Sequence, residues 1–258
     1  MPSKTFTVTA LLAGVLPTPR WATTFGAHDT ALVDLAFYVW VVSDGRTTGL
    51  VDLGLPLDPA DAALLSTSNR AFGDDGFRDV RLLPELLREA GLEGGDVDFV
   101  AITQTVTYHT GGLDAGLLPN ATVYLPYAGV RELLVDPPGH PAPELYFTDR
   151  SWTALRRLAV EGRLRLVEDA ADIADGVRYE VTGGHHPGSA AVQVRTAAGL
   201  VGLLETSFLQ ADLDAGTPIG IAEDVAAARR AIQRYRAACD HAVAVHDPGN
   251  AERFGPSV

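Results

Sequence analysis

Seven histidines stand in the chain, and three of them share a setting. His109 lies in Tyr108-His109-Thr110-Gly111-Gly112, His185 in Gly183-Gly184-His185-His186-Pro187-Gly188, and His246 in His246-Asp247-Pro248-Gly249. Each follows a short apolar stretch that reads as a strand, with glycine or proline beside it. Glycines at a strand end let backbone approach a ligand closely and permit positive φ. Imidazole ligates zinc, iron and related metals, and it is also a general acid or base near neutral pH. A lone histidine is more often a hydrogen-bonded structural residue than a ligand. Three in like settings point to one shared site.

The elements that must position them follow from local pattern. Thr5 to Leu16 alternates well enough to be a first strand. Lys4 precedes it, but the small-residue cleavage pattern of a signal peptide is poor, and the expected address is the cytoplasm. Leu32 to Ser43 and Thr47 to Leu53 read as two antiparallel strands joined at Asp44-Gly45. Leu82 to Ala90 is helical and stops at Gly91. Asp96 to Thr103 is a strand that delivers Gln104 and then His109. Ala121 to Leu125 is another strand, followed by a helix over Ala128 to Val135. The four prolines between Asp136 and Pro143 require a loop, and Ser151 to Val160 is helical again.

Short strands then recur at Arg165–Val167, Tyr179–Thr182, Ala190–Arg195 and Leu200–Leu204. A long amphipathic helix over Ala222 to Ala238 precedes a last strand, Val243 to His246. Two halves of similar make-up suggest two sheets between outer helices. Ser66 to Asp79 is a polar, irregular connection of the kind that borders sites. Its Phe72 and Phe77 are candidate walls for an apolar substrate, whereas Phe37 and Trp40 lie in a strand and read as core.

Composition narrows the partners. The 258 residues carry 20 basic and 33 acidic side chains, a formal net charge of −13 at pH 7. That field opposes docking on nucleic acid or on an anionic membrane. One cysteine, Cys239, rules out an intramolecular disulfide and a cysteine-based zinc site. No apolar run reaches the length of a membrane span. What remains is a small-molecule partner, with oligomeric state left open.

The segments Thr47-Thr48-Gly49-Leu50-Val51-Asp52-Leu53-Gly54, Asp96 to Thr103 and His109-Thr110-Gly111-Gly112-Leu113 resemble the metallo-β-lactamase superfamily. Leu118 to Tyr124 continues the likeness in the style of its lactonase-like branch. Thr182 to Ser189 and Val243 to Pro248 resemble its third-histidine loop and its C-terminal histidine. The resemblance implies one αββα domain over residues 1–258, of α/β (α+β) class, with two mixed sheets flanked by helices. It also implies a site at one edge of the sheets, where members of the family commonly hold two zinc ions and hydrolyse esters, lactones, thioesters or amides.

The chain departs from the family's His-x-His-x-Asp-His signature. Gln104 and Val106 replace the two early histidines and Tyr108 replaces the aspartate, while His109 remains. At the place of the bridging aspartate stands Thr206, or Glu205 if the register shifts by one. Such a chain is not expected to hold a dinuclear centre. The expected site centres on His109, His185 and His246. His109, His185, Tyr108 and Glu205 are the candidate catalytic residues, and Gln104, Thr206, Phe72 and Phe77 the substrate-binding ones. Three readings follow: metal-free acid–base chemistry by histidine and tyrosine (cyclisation, elimination, isomerisation or hydrolysis); hydrolysis with one zinc or iron on His109, His185 and His246; and a non-catalytic binding protein on the same scaffold.

Overall fold

The computed structural model describes residues 4–71, 76–135 and 146–256. Phe72 and the prolines between Asp136 and Pro143 lie outside the described residues. Eleven described strands form two sheets. The first sheet holds β1 (Thr7–Pro19), β2 (Leu32–Ser43), β3 (Thr48–Val51), β4 (Phe99–Ala101), β5 (Thr122–Pro126) and β6 (Leu164–Val167), in that spatial order. The second holds β7 (Ala170–Ala174), β8 (Val177–Val181), β9 (Ala190–Thr196), β10 (Gly199–Leu204) and β11 (His241–Ala244), in the order β11-β10-β9-β8-β7. Both sheets are mixed. β1, β2 and β3 run antiparallel and β3 to β6 parallel. In the second sheet only the β10–β11 pair is parallel.

The helices are α1 (Arg20–Thr23), α2 (Pro59–Ala71), α3 (Leu83–Glu89), α4 (Thr107–Thr110), α5 (Tyr127–Val135), α6 (Asp149–Val160), α7 (Gln210–Ala215), α8 (Val225–Ala238) and α9 (Asn250–Phe254). Leu83, Leu86 and Leu87 of α3 and Leu155 and Leu158 of α6 pack on Val39, Leu50 and Val100, on the outer face of the first sheet. Ala231, Ile232 and Tyr235 of α8 cover Ala191, Leu204 and Ala244 on the outer face of the second. Between the sheets lie Tyr38, Trp40, Val42 and Phe99 against Tyr179, Val192, Val194 and Leu203. β2 is thus buried on both faces, which is why its sequence is a continuous apolar run.

The layered sandwich expected from the sequence is the architecture observed. Three local expectations need correction. The connection over Ser66 to Asp79 is helical as far as Ala71, because Pro59 starts α2 at a position where its missing N–H is harmless. The long helix begins at Val225, with the Asp224 carboxylate accepting from the Ala227 N–H at 2.8 Å. β7 was not expected: Ala-Ala-Asp-Ile-Ala has low strand propensity, and pairing with β8 overrides it.

The sheets are tied together beneath one edge. The Tyr179 hydroxyl donates to the Ile102 carbonyl at 2.6 Å, and the Ala190 N–H donates to the Thr103 carbonyl at 2.7 Å. These bonds bring the end of β4 in one sheet to β8 and β9 in the other. Beside them, α4 is clamped to the segment after β3: Leu53 N–H donates to the His109 carbonyl at 2.8 Å and Gly111 N–H to the Gly54 carbonyl at 3.1 Å. A Cβ on Gly111 would overlap the backbone of Leu55 and Pro56, which cannot yield as a side-chain tip can. Gly111→Ala is expected to cost about 1–3 kcal/mol in a denaturant titration, with the α4 register, and so His109, displaced.

Candidate active site

At this tied edge six segments converge: the start of β2, the loop after β3, the end of β4 with α4, the loop between β8 and β9, and the ends of β10 and β11. They enclose a cavity of about 320 Å³. Gln104, Val106, Tyr108, His109, His185 and His246 all line it. Leu16, Trp21, Leu35, Phe37, Phe208 and Ile221 give it a mainly apolar wall. A more open, charged cleft bordered by Asp58, Asp61, Arg150 and Arg157 holds none of these histidines.

Asp52 organises one side of the cavity. It has φ of 60°, a left-handed conformation that aspartate tolerates better than most residues. Its Oδ1 accepts from the Thr103 N–H at 2.7 Å, and its Oδ2 accepts from the Thr103 hydroxyl at 2.7 Å and from His109 Nδ1 at 2.8 Å. An ionised carboxylate only accepts, so His109 carries its proton on Nδ1 and keeps a lone pair on Nε2 while neutral. Burial pulls the His109 pKa down, but the charges of Asp52 and Glu205 outweigh it and the net shift is upward.

His246 is set by backbone. Its Nδ1 donates to the Ala36 carbonyl at 3.0 Å, so Nε2 again holds a lone pair. Its ring lies between Phe37 and Phe208, with centroids 4.6 and 5.0 Å away, and 5.2 Å from the His109 ring. Burial pushes its pKa well below the usual value, helped by His109 and His185, and it stays neutral.

Glu205 connects the two halves. It is fully buried, and its Oε1 lies 2.8 Å from His185 Nδ1. Gln104 Nε2 is also 2.8 Å from that nitrogen. One Nδ1 cannot donate to the carboxylate and accept from the amide at once. The carboxylate is the stronger acceptor, so Nδ1–H faces Glu205, and the Gln104 amide turns its oxygen to the imidazole. The second oxygen, Oε2, is buried without a hydrogen-bond partner. His109, Glu205 and His246 each offer one ligand atom, all within 4.8 Å of one another. Between the two registers left open by the sequence, Glu205 is therefore the residue that meets the histidines. Thr206 is buried beside it with its hydroxyl unpartnered; neither residue lines the cavity wall itself, where His109, His185 and His246 stand.

Tyr108 stacks on Phe37 at 5.2 Å. Phe77 does not wall the cavity. It packs behind, 5.4 Å from Phe37 and 5.9 Å from Tyr108, and steadies those two rings. Phe37, read from the strand pattern as core, both packs inward and walls the cavity.

His186 was not singled out by its sequence context. It is buried and lines the cavity next to His185, at a ring separation of 5.4 Å. Its Nδ1 accepts from the Gly188 N–H at 3.1 Å, and Glu132 lies 3.7 Å away. Its tight Gly183-Gly184 and Pro187-Gly188 surroundings are the signal that points to it.

Burial holds His186 and His246 well below their ordinary pKa of 6.5, and unfolding releases them to that value. The unfolded state therefore binds more protons, and stability falls as pH drops below 6.5. Each contributes up to about 1.4 kcal/mol per pH unit there. His109, with its raised pKa, acts oppositely: its contribution is full below 6.5 and fades as pH rises through the folded value. Chelator-treated protein melted between pH 7 and pH 5 should show a falling melting temperature, with a shallower fall in His186→Phe.

A scan against protein-family models found no match, and neither did a search of curated proteins. Solved structures do match. An N-acyl homoserine lactone hydrolase with N-hexanoyl-L-homoserine bound at its catalytic metal centre aligns at a TM-score of 0.75 and 18% identity, over 98% of this chain and 97% of that one. A hydrolase of the β-lactamase superfamily, AbOPH, aligns at 0.65 and 18%, over 91% and 83%. AidC, a dizinc quorum-quenching lactonase, aligns at 0.66 and 14%, over 96% and 90%. The fold of this chain is the metallo-β-lactamase fold. Among the described residues, no helix is long and apolar enough to cross a membrane.

The residues present do not suit a two-metal centre. Val106 has no ligating atom, the Gln104 amide is engaged with His185, and Tyr108 is stacked on Phe37. They do suit one ion. His109 and His246, with Nδ1 already committed, and Glu205, with a partnerless buried oxygen, form a group that could hold one ion.

Proposed function

We propose that this chain, working as one domain, is an enzyme that hydrolyses an ester, lactone or thioester of a small organic molecule, with one divalent metal held by His109, Glu205 and His246. The observation that carries this reading is the Glu205 carboxylate: its buried Oε2 has no hydrogen-bond partner, and the group offers an oxygen within 4.8 Å of ligand atoms of His109 and His246. A buried carboxylate oxygen without a donor is costly, and a cation there removes the cost. When bound, such an ion acidifies water at neutral pH and polarises a carbonyl.

The protein's own groups do the rest. Asp52 holds the His109 tautomer and ring orientation. His185 donates its Nδ1 proton to Glu205 and keeps a lone pair on its other nitrogen, which can take the proton released by the attacking water and pass it to the leaving group. Tyr108 borders the reacting end as a proton or oxyanion donor. The apolar wall from Leu16 to Phe208 holds the organic part of the substrate and limits water.

A second reading keeps the same residues without a metal. His109–Asp52 and His185–Glu205 are two carboxylate–imidazole pairs on one cavity, a suitable base and acid for cyclisation, elimination or isomerisation. The open cavity supports both readings over a purely non-catalytic role. Screening thioesters, lactones and aryl esters by mass spectrometry tests the hydrolase. Turnover that disappears in His109→Ala and in His185→Ala is the expected result. Turnover indifferent to both substitutions would overturn it.

A further inference from the structure

The charge around the cavity is one-sided. Among the described residues no arginine or lysine lines it, and its one carboxylate is Glu223. Glu223 is exposed and makes no ion pair among the described residues. Its position is fixed, because its N–H donates to the His185 carbonyl at 2.9 Å, while the next N–H, of Asp224, donates to the Gly184 carbonyl at 3.0 Å. The Glu223 side chain therefore belongs to the same rim as the histidine loop. A second carboxylate, Glu132, stands behind His186 at 3.7 Å. The rim also carries aromatic surface: Trp21, 38% exposed, and the half-buried Tyr146. Burial raises the Tyr146 pKa, with the charges of Glu223 and Glu132 adding to it.

A carboxylate on a rim that also carries aromatic rings is complementary to an organic cation. An anionic substrate would find no counter-charge among the described residues and would be repelled by a chain of net charge −13. We propose that the cavity selects substrates carrying an ammonium group, which pairs with Glu223 on the rim that also carries Trp21 and Tyr146, while the apolar remainder lies along the wall. This names the substrate class of the site proposed above and rests on that reading for the reaction alone. The binding preference stands apart from it.

The test is calorimetric titration with two probes of one shape, 4-phenylbutan-1-amine (charged at pH 7.5) and 4-phenylbutan-1-ol, at low salt. The amine should bind about tenfold tighter than the alcohol. In Glu223→Gln the ratio should fall to about one with the alcohol's affinity unchanged, and Glu223→Lys should favour the alcohol. Salt at 0.5 M should shrink the ratio in the parent protein and leave Glu223→Gln unaffected. A ratio near one in the parent, a ratio that survives in Glu223→Gln, or binding of neither probe overturns the proposal. Metal content measured on the same samples fails or holds independently, so loss of the single-metal reading leaves this outcome legible.

Discussion

Asp52→Asn lowers the affinity of the site for zinc by about 10–100-fold while leaving the fold intact. Asparagine tolerates the left-handed φ of 60°, and its Oδ1 still accepts from the Thr103 N–H. Its Nδ2, however, donates where Asp52 Oδ2 accepted. His109 Nδ1 must then offer a lone pair, and the imidazole proton moves to Nε2, the nitrogen needed by a metal. The raised pKa of His109 should fall at the same time, because its nearest negative charge is gone. Competition titration with a chromophoric chelator measures the affinity, and the imidazole proton resonances report the tautomer. Parental affinity in this variant would mean that His109 does not ligate through Nε2. Asp52→Ala is the harsher change: it strips the acceptor from three donors and costs about 3–5 kcal/mol, as breaking a buried pair does.

Glu205→Gln has effects of opposite sign in two measurements. In chelator-treated protein it raises the melting temperature, because a neutral amide costs less to bury than a carboxylate with one partnerless oxygen. Gln keeps an acceptor for His185 Nδ1, so that bond survives. The gain should be about 1–3 kcal/mol, or roughly 2–4 °C per kcal/mol for a chain of this size. In metal-supplemented protein the same variant loses the thermal shift that zinc gives the parent. A lower melting temperature in the stripped form, with the zinc shift retained, would make Glu205 a structural acceptor for His185 and nothing more.

The three strand-end histidines were legible because glycine and proline punctuate each of them, and all three line one cavity. The choice between Glu205 and Thr206 was not legible. β10 reads Gly-Leu-Val-Gly-Leu-Leu, apolar toward both the other sheet and α8, so no alternation exists from which to count faces. The role of Asp52 was half legible: its place beside a strand was visible, but the left-handed backbone that turns its carboxylate onto Thr103 and His109 comes from tertiary packing. Phe77 misled because a phenylalanine in a polar stretch suggests a pocket wall, whereas it supports Phe37 and Tyr108 from behind. His186 was hidden by its neighbour, since one histidine in Gly-Gly-His-His-Pro-Gly already accounts for the motif. The start of the long helix and the start of α2 depended on an Asp224 cap and on Pro59, features weaker than the hydrophobic pattern, whereas the helix end at Ala238 was legible.

The hydrolytic reading of the site stands on a single metal at His109, Glu205 and His246. It is tested most directly by counting metal in protein purified without a chelator or a histidine tag, by inductively coupled plasma mass spectrometry after dialysis against zinc or iron. Close to one equivalent per chain is expected, and close to none in His246→Ala and Glu205→Gln. Two equivalents in the parent, or none with no thermal shift on adding either ion, would contradict it.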